Sequence, residues 1–196
     1  NDIPRDLDWM VSPWSLAAKN VNSRVMIVGQ DWASDRQLRK MTADKLRAGR
    51  DKNLLTNKNL DDFLGQSFGL NFHEIYATNL FPFIKHGNMS APIKRQHYEY
   101  SCREYLIPQI NIIQPDLVLC LGSSVFQSIV SFSGEKIQKF ADSVDKTFVL
   151  SGSLVKAVYH PGGHGTKNAG GKAAAMRYWK NAHTALLNHA VNHGKE

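Results

Sequence analysis

The stretch VMIVGQDWAS (25–34) sets four apolar residues directly against a glycine, an amide, a carboxylate and an indole. A short apolar run that stops abruptly at polar residues reads as a buried strand delivering those residues to a site. The same grammar recurs along the chain. EIYATNLF (74–81) holds a second run, ending at Thr78 and Asn79. DLVLCLG (116–122) is the clearest strand and gives way to Ser123 and Ser124. LVKAVYH (154–160) is the fourth, with TFVL (147–150) a further short candidate before it, and it ends in HPGGHG (160–165). Runs that are apolar nearly throughout and bounded by Gly, Asn or Pro suit parallel strands covered on both faces.

Helical patterns fill the intervals. One covers residues 60–68. A longer one spans 92–114, where Pro108 is expected to kink or divide it. Another is SSVFQSIVSF, starting at Ser123. The last spans 172–191, where Ala175, Tyr178, Trp179, Ala182, Leu186 and Leu187 form one apolar face. Segment 32–56 is polar, rich in Arg and Lys, and fits neither period. Strand–helix alternation predicts a three-layer α/β/α sandwich around a central, mostly parallel four-stranded sheet, as one domain over 1–196.

Bulk properties agree with this. The chain has 196 residues, 42% hydrophobic and 21% charged, an ordinary globular composition. No apolar run approaches the roughly 20 residues that span a bilayer, and no signal-peptide pattern opens the chain. Two cysteines, Cys102 and Cys120, form no CxxC pair, and Cys120 sits inside an apolar run. The expectation is a reduced, cytoplasmic protein with no membrane contact. The net charge of +7 favours a polyanionic partner such as nucleic acid.

A parallel sheet places Asp31, Asn79, Ser123 and His160 together along its carboxyl edge, where open α/β sheets bind ligands. Each alone has an ordinary explanation. An Asp after a strand caps turns and helices, an Asn forms turns, a Ser caps a helix, and a His before Pro is often structural. Their coincidence at strand ends makes them a candidate site. In HPGGHG, glycines at 162, 163 and 165 allow close approach of backbone to a ligand, with His164 and Lys167 nearby. A glycine-rich, basic loop ahead of a helix suits phosphate contact. Asp31, His73, Glu74, His160 and His164 are of ligand type, but no metal-ligand spacing links them, so no metal is expected.

These motifs, in this order, resemble the uracil-DNA glycosylase superfamily. GQDW (29–32) resembles its first motif, best known as GQDPY, and HPGG (160–163) its second, usually HPS. TNLFPF (78–83) is similar to the segment carrying the uracil-reading Asn. CREYLIPQINIIQPDLVLCLGSS (102–124) is similar to a helix and strand of the branch that carries an iron–sulfur cluster. The resemblance spans about residues 24–189.

The resemblance implies a DNA glycosylase that takes uracil, or a related deaminated base, flipped out of DNA and hydrolyses its N-glycosidic bond. Asp31 matches the residue that positions water and faces the sugar cation. His160 matches the one that stabilises charge on the base oxygen O2. Gly29, Gln30 and Trp32 fall on the base pocket, and Asn79 on the side chain that pairs with the uracil edge. Ser123 matches a phosphate contact. Gly162, Gly163, His164 and Lys167 fall on the loop that pushes into the duplex. The implied protein is a monomer in base-excision repair.

The chain also departs from the family pattern. Trp32 and Ala33 stand where GQDPY has Pro and Tyr, and Gly162 stands in place of the Ser of HPS. Of the four cluster cysteines only Cys102 is matched, and Pro82 falls near another, so no cofactor is expected. Phe63, Phe68 and Trp32 are the candidates for the aromatic that stacks on the base. Two other readings compete: a nucleic-acid-binding relative without catalysis, and an enzyme of this fold acting on a free nucleoside or nucleotide.

Overall fold

The computed structural model describes residues 14–136 and 139–192, so both ends of the domain expected over 1–196 lie outside the described residues. In chain order the helices are α1 (Trp14–Ala17), α2 (Asp35–Leu38), α3 (Ala43–Arg47), α4 (Leu55–Phe68), α5 (Arg95–Ser101), α6 (Ile107–Ile113), α7 (Ser123–Phe132), α8 (Phe140–Ser143), α9 (Gly163–Asn168) and α10 (Lys172–Asn192). The strands are β1 (Val25–Asp31), β2 (Tyr76–Phe81), β3 (Leu117–Leu121), β4 (Phe148–Leu150) and β5 (Ser153–Val158).

The strands form one sheet in the order β2-β1-β3-β5-β4. The four expected strands are mutually parallel, with Gly29 beside Asn79 and Val28 beside Cys120. The expected four-stranded sheet is corrected to five. The short TFVL run forms β4, antiparallel to β5, with Val149 opposite Leu154. Three residues at a sheet edge leave too little periodicity to read with assurance from sequence.

Both faces of the sheet are buried, which explains the unbroken apolar runs. Val25, Ile27, Leu117 and Leu119 pack with Leu60, Phe63 and Trp179 of α4 and α10. Met26, Val28, Val118 and Cys120 point the other way, against Leu106, Ile110, Val125 and Ile129. These are the two outer layers of the sandwich.

Three expectations about helices are adjusted. Helix α4 begins at Leu55 rather than residue 60, and it ends on Gly69 in the left-handed region at φ 67°. The 92–114 pattern is divided into α5, a π turn over Cys102–Leu106, and α6. Pro108 has no N–H for the carbonyl four residues back, and the wide turn directly before α6 accommodates that loss. Leu187, expected on the buried face of α10, is 52% exposed because the buried row runs through Ala175, Trp179, Ala182 and Leu186. The unassigned 32–56 segment contains α2 and α3, each too short to carry a helical period.

Candidate active site at the carboxyl edge of the sheet

A cavity of about 360 Å³ opens at the carboxyl ends of β1, β3 and β5. Gly29, Gln30, Asp31, Trp32, Ser123 and His160 all line it, so three segments far apart in sequence meet there. The parallel registers carry them to the same level.

The Asp31 carboxylate is held on both oxygens. Gln30 Nε2 donates to Oδ1 at 2.9 Å. Lys85 Nζ lies 2.7 Å from Oδ2, and these side chains are only 6% and 5% exposed for Asp31 and Lys85. Lys85 also donates to the Met89 carbonyl. Its backbone is pinned beside β1 by Asp35 N–H donating to Lys85 O at 2.9 Å. A buried ion pair of this kind persists only when its geometry offsets desolvation.

His160 is fixed from the opposite side. Gly162 N–H donates to its Nδ1 at 3.0 Å. Burial holds the imidazole below its ordinary value, with the Asp31 charge pulling the other way. A neutral ring whose Nδ1 accepts must carry its proton on Nε2, so His160 offers an N–H donor. The backbone around it is tight. A Cβ on Gly165 would stand 2.1 Å from the His160 carbonyl oxygen, and one on Gly162 2.9 Å from His160 Nδ1. Close approach, not an unusual φ, demands glycine at both positions.

The expected glycine-rich loop is corrected to a short helix, α9, capped by the backbone of Gly162. Gly163, His164 and Lys167 are exposed on it, beside the cavity but not among its lining residues. Ser123 is the first residue of α7, and the residue before the helix is Gly122 at φ 97°.

Asn79 is fully buried directly behind Gly29, outside the lining. A Cβ on Gly29 would meet Asn79 Nδ2 at 2.8 Å and the Trp14 ring at 2.9 Å. Of the three aromatic candidates, only Trp32 lines the cavity, its indole N–H donating to Gly49 O at 2.8 Å. Phe63 and Phe68 are core residues packed on Trp179, with centroids 5.4 and 6.5 Å away.

Several lining residues escaped the sequence reading. Trp14 supplies a second indole wall. Arg50, with a 3% exposed side chain, is paired with Asp61 at 2.9 Å and lies 4.0 Å over the Phe72 ring. Gln37 and Asn57 also line the cavity, and Gln37 Oε1 and Asn57 Oδ1 are buried acceptors without a hydrogen-bond partner. Tyr98 stands close enough to Asp31 to feel its charge. Burial first and that charge second push its hydroxyl up to about 12, against a hydrogen bond with Ser124. No spacing rule singles these residues out.

Chemically, the cavity offers a carboxylate, a neutral N–H donor, two indole walls and amides, enough to take a planar polar group and polarise it. The family model described as Uracil DNA glycosylase superfamily matches residues 17–189. No curated protein matches the chain.

Proposed function

The chain belongs to the uracil DNA glycosylase superfamily, with the DNA glycosylase-type function that this implies, and from that premise we propose that it hydrolyses the N-glycosidic bond of uracil, or a related deaminated base, flipped out of DNA. The observation that carries this reading is the meeting of Asp31 and His160 on one cavity, from strands on either side of β3.

Breaking the bond leaves positive charge on the sugar and negative charge on the base. A carboxylate on the sugar side and a donor on the base side serve the two halves, and one such donor is typically worth about 3 kcal/mol. Asp31 orients the attacking water and faces the sugar cation. His160 donates Nε2–H to O2 of the leaving base, and because the ring is neutral the anion is stabilised without taking a full proton. A base within a duplex cannot reach such a cavity, so it must first be flipped. The indole of Trp32 is the surface on which it stacks. Asn79, buried behind Gly29 and outside the lining, is the residue to pair with the uracil edge, donating to O4 and accepting from N3–H, which requires the wall of Gly29 and Trp14 to move aside. Ser123, the capping residue Gly162 and the α9 residues Gly163, His164 and Lys167 take the backbone phosphates. The +7 charge supplies long-range attraction to them.

One observation favours a second reading, a DNA-binding relative without catalysis. The Lys85 ammonium beside Asp31 neutralises charge that the sugar cation would use.

Labelled single- and double-stranded oligonucleotides containing one uracil, treated with the protein and then with alkali, decide between them. Strand cleavage supports the glycosylase. Salt-sensitive binding without cleavage supports the second reading. In the first case Asp31→Asn should lower turnover by roughly 10²-fold or more while DNA affinity stays near wild type. Full activity in Asp31→Asn would remove Asp31 from its role.

A further inference from the structure

A base that leaves the stack opens a gap in the duplex, and proteins that hold DNA in such states commonly fill gaps with apolar side chains. The turn after His160 exposes no apolar side chain for this: Pro161 is buried, and Gly162, Gly163 and Gly165 surround a single exposed His164. The mouth of the cavity has apolar side chains elsewhere. Leu54, which lines the cavity, is 41% exposed, and its neighbour Leu55 is 58% exposed. Leu55 Cδ2 lies 3.8 Å from the position of a Cβ on Gly163. The start of α4 and the start of α9 therefore stand side by side at the mouth, within van der Waals reach.

The segment that carries these leucines is braced. Asn59 Nδ2 donates to the Pro161 carbonyl at 2.7 Å, tying α4 to the His160 turn. Asn57 Nδ2 donates to Asp51 O at 2.7 Å, and Arg50 donates to Asn57 O at 3.2 Å. Lys45 lies 2.5 Å from the Asp51 carboxylate. Lys52 and Lys58, exposed on either side of the leucines, are placed to meet phosphates. Two exposed leucines on a rigid turn, flanked by lysines at the rim of a base-sized cavity, fit the stacked face of a nucleic acid.

We propose that Leu54 and Leu55, at the start of α4, form the wedge that enters the base stack when the target base turns into the cavity. This rests on the glycosylase reading above and assigns the stack-filling role to α4 instead of the turn after His160. The role is needed only where the base has stacked and paired neighbours, so duplex and single-stranded substrates separate it from simple structural support.

The test compares wild type, the Leu54→Ala/Leu55→Ala double variant and His164→Ala on single-stranded and duplex uracil oligonucleotides. The double variant should lose roughly tenfold or more on duplex beyond whatever it loses on single strands. Equal losses on both substrates, or none on either, overturn the wedge. So does a duplex-only loss in His164→Ala with none in the double variant. If wild type releases no base from either substrate, the glycosylase reading fails, and duplex DNA carrying 2-aminopurine beside the uracil decides the wedge. A rise in fluorescence on binding wild type but not the double variant supports it, and the same rise with both proteins overturns it.

Discussion

His160 shows how much chemistry one backbone contact can set. The Gly162 N–H fixes which ring nitrogen carries the proton, and burial keeps the ring neutral. The consequence for stability has a definite sign. An unfolded chain protonates this imidazole near pH 6.5, and the folded site only at lower pH. The folded state is therefore unpenalised above about pH 6.5 and loses stability as the pH falls below it. Thermal melts between about pH 7 and about pH 5 should show a falling midpoint in wild type and a smaller fall in His160→Gln. Equal falls in the two proteins would mean that other histidines carry the effect. The placing of Asp31 and His160 on the cavity was legible because each ends an apolar run. Lys85 was not, since its role comes from lying 2.7 Å from Asp31 across 54 residues of chain that no local pattern spans.

At the scale of elements, a strand end or a helix start is what delivers each group. Helix α9 is the clearest case, because its first turn packs against the backbone of His160. Gly165→Ala would place Cβ 2.1 Å from a carbonyl oxygen that cannot move without moving His160. Denaturant unfolding should show a loss of about 1–3 kcal/mol or more, with activity falling alongside. Gly65→Ala on α4 is the contrasting case. Nothing lies within 4 Å of its Cβ position. There the helical backbone should gain about 0.5–1 kcal/mol. If both substitutions behaved alike, the packing at α9 would not be as close as described. The long 92–114 helix was legible in extent and in its division by Pro108. The π turn was not, since it depends on how the freed carbonyl is absorbed.

For the molecule as a whole, Trp179 anchors one outer layer against the sheet. It is fully buried in α10 and packs on Phe63 of α4 and on Phe68. Trp179→Ala should cost about 3–5 kcal/mol, read as a lower denaturant midpoint. Its indole N–H has no hydrogen-bond partner, so Trp179→Phe should cost markedly less. Equal costs would show that the nitrogen is satisfied in solution.

The sequence by itself determined the layered α/β architecture, the four parallel strands and the sheet edge on which the cavity opens. It could do so because strand burial and helix periodicity are local, repeating signals. Tertiary structure alone decided that Lys85 pairs with Asp31, that Phe63 and Phe68 belong to the core, that Trp14 and Arg50 wall the cavity, and that Leu54 and Leu55 stand at the cavity mouth. Those facts depend on which distant segments meet when both faces of the sheet are covered, and no periodicity in the chain encodes that.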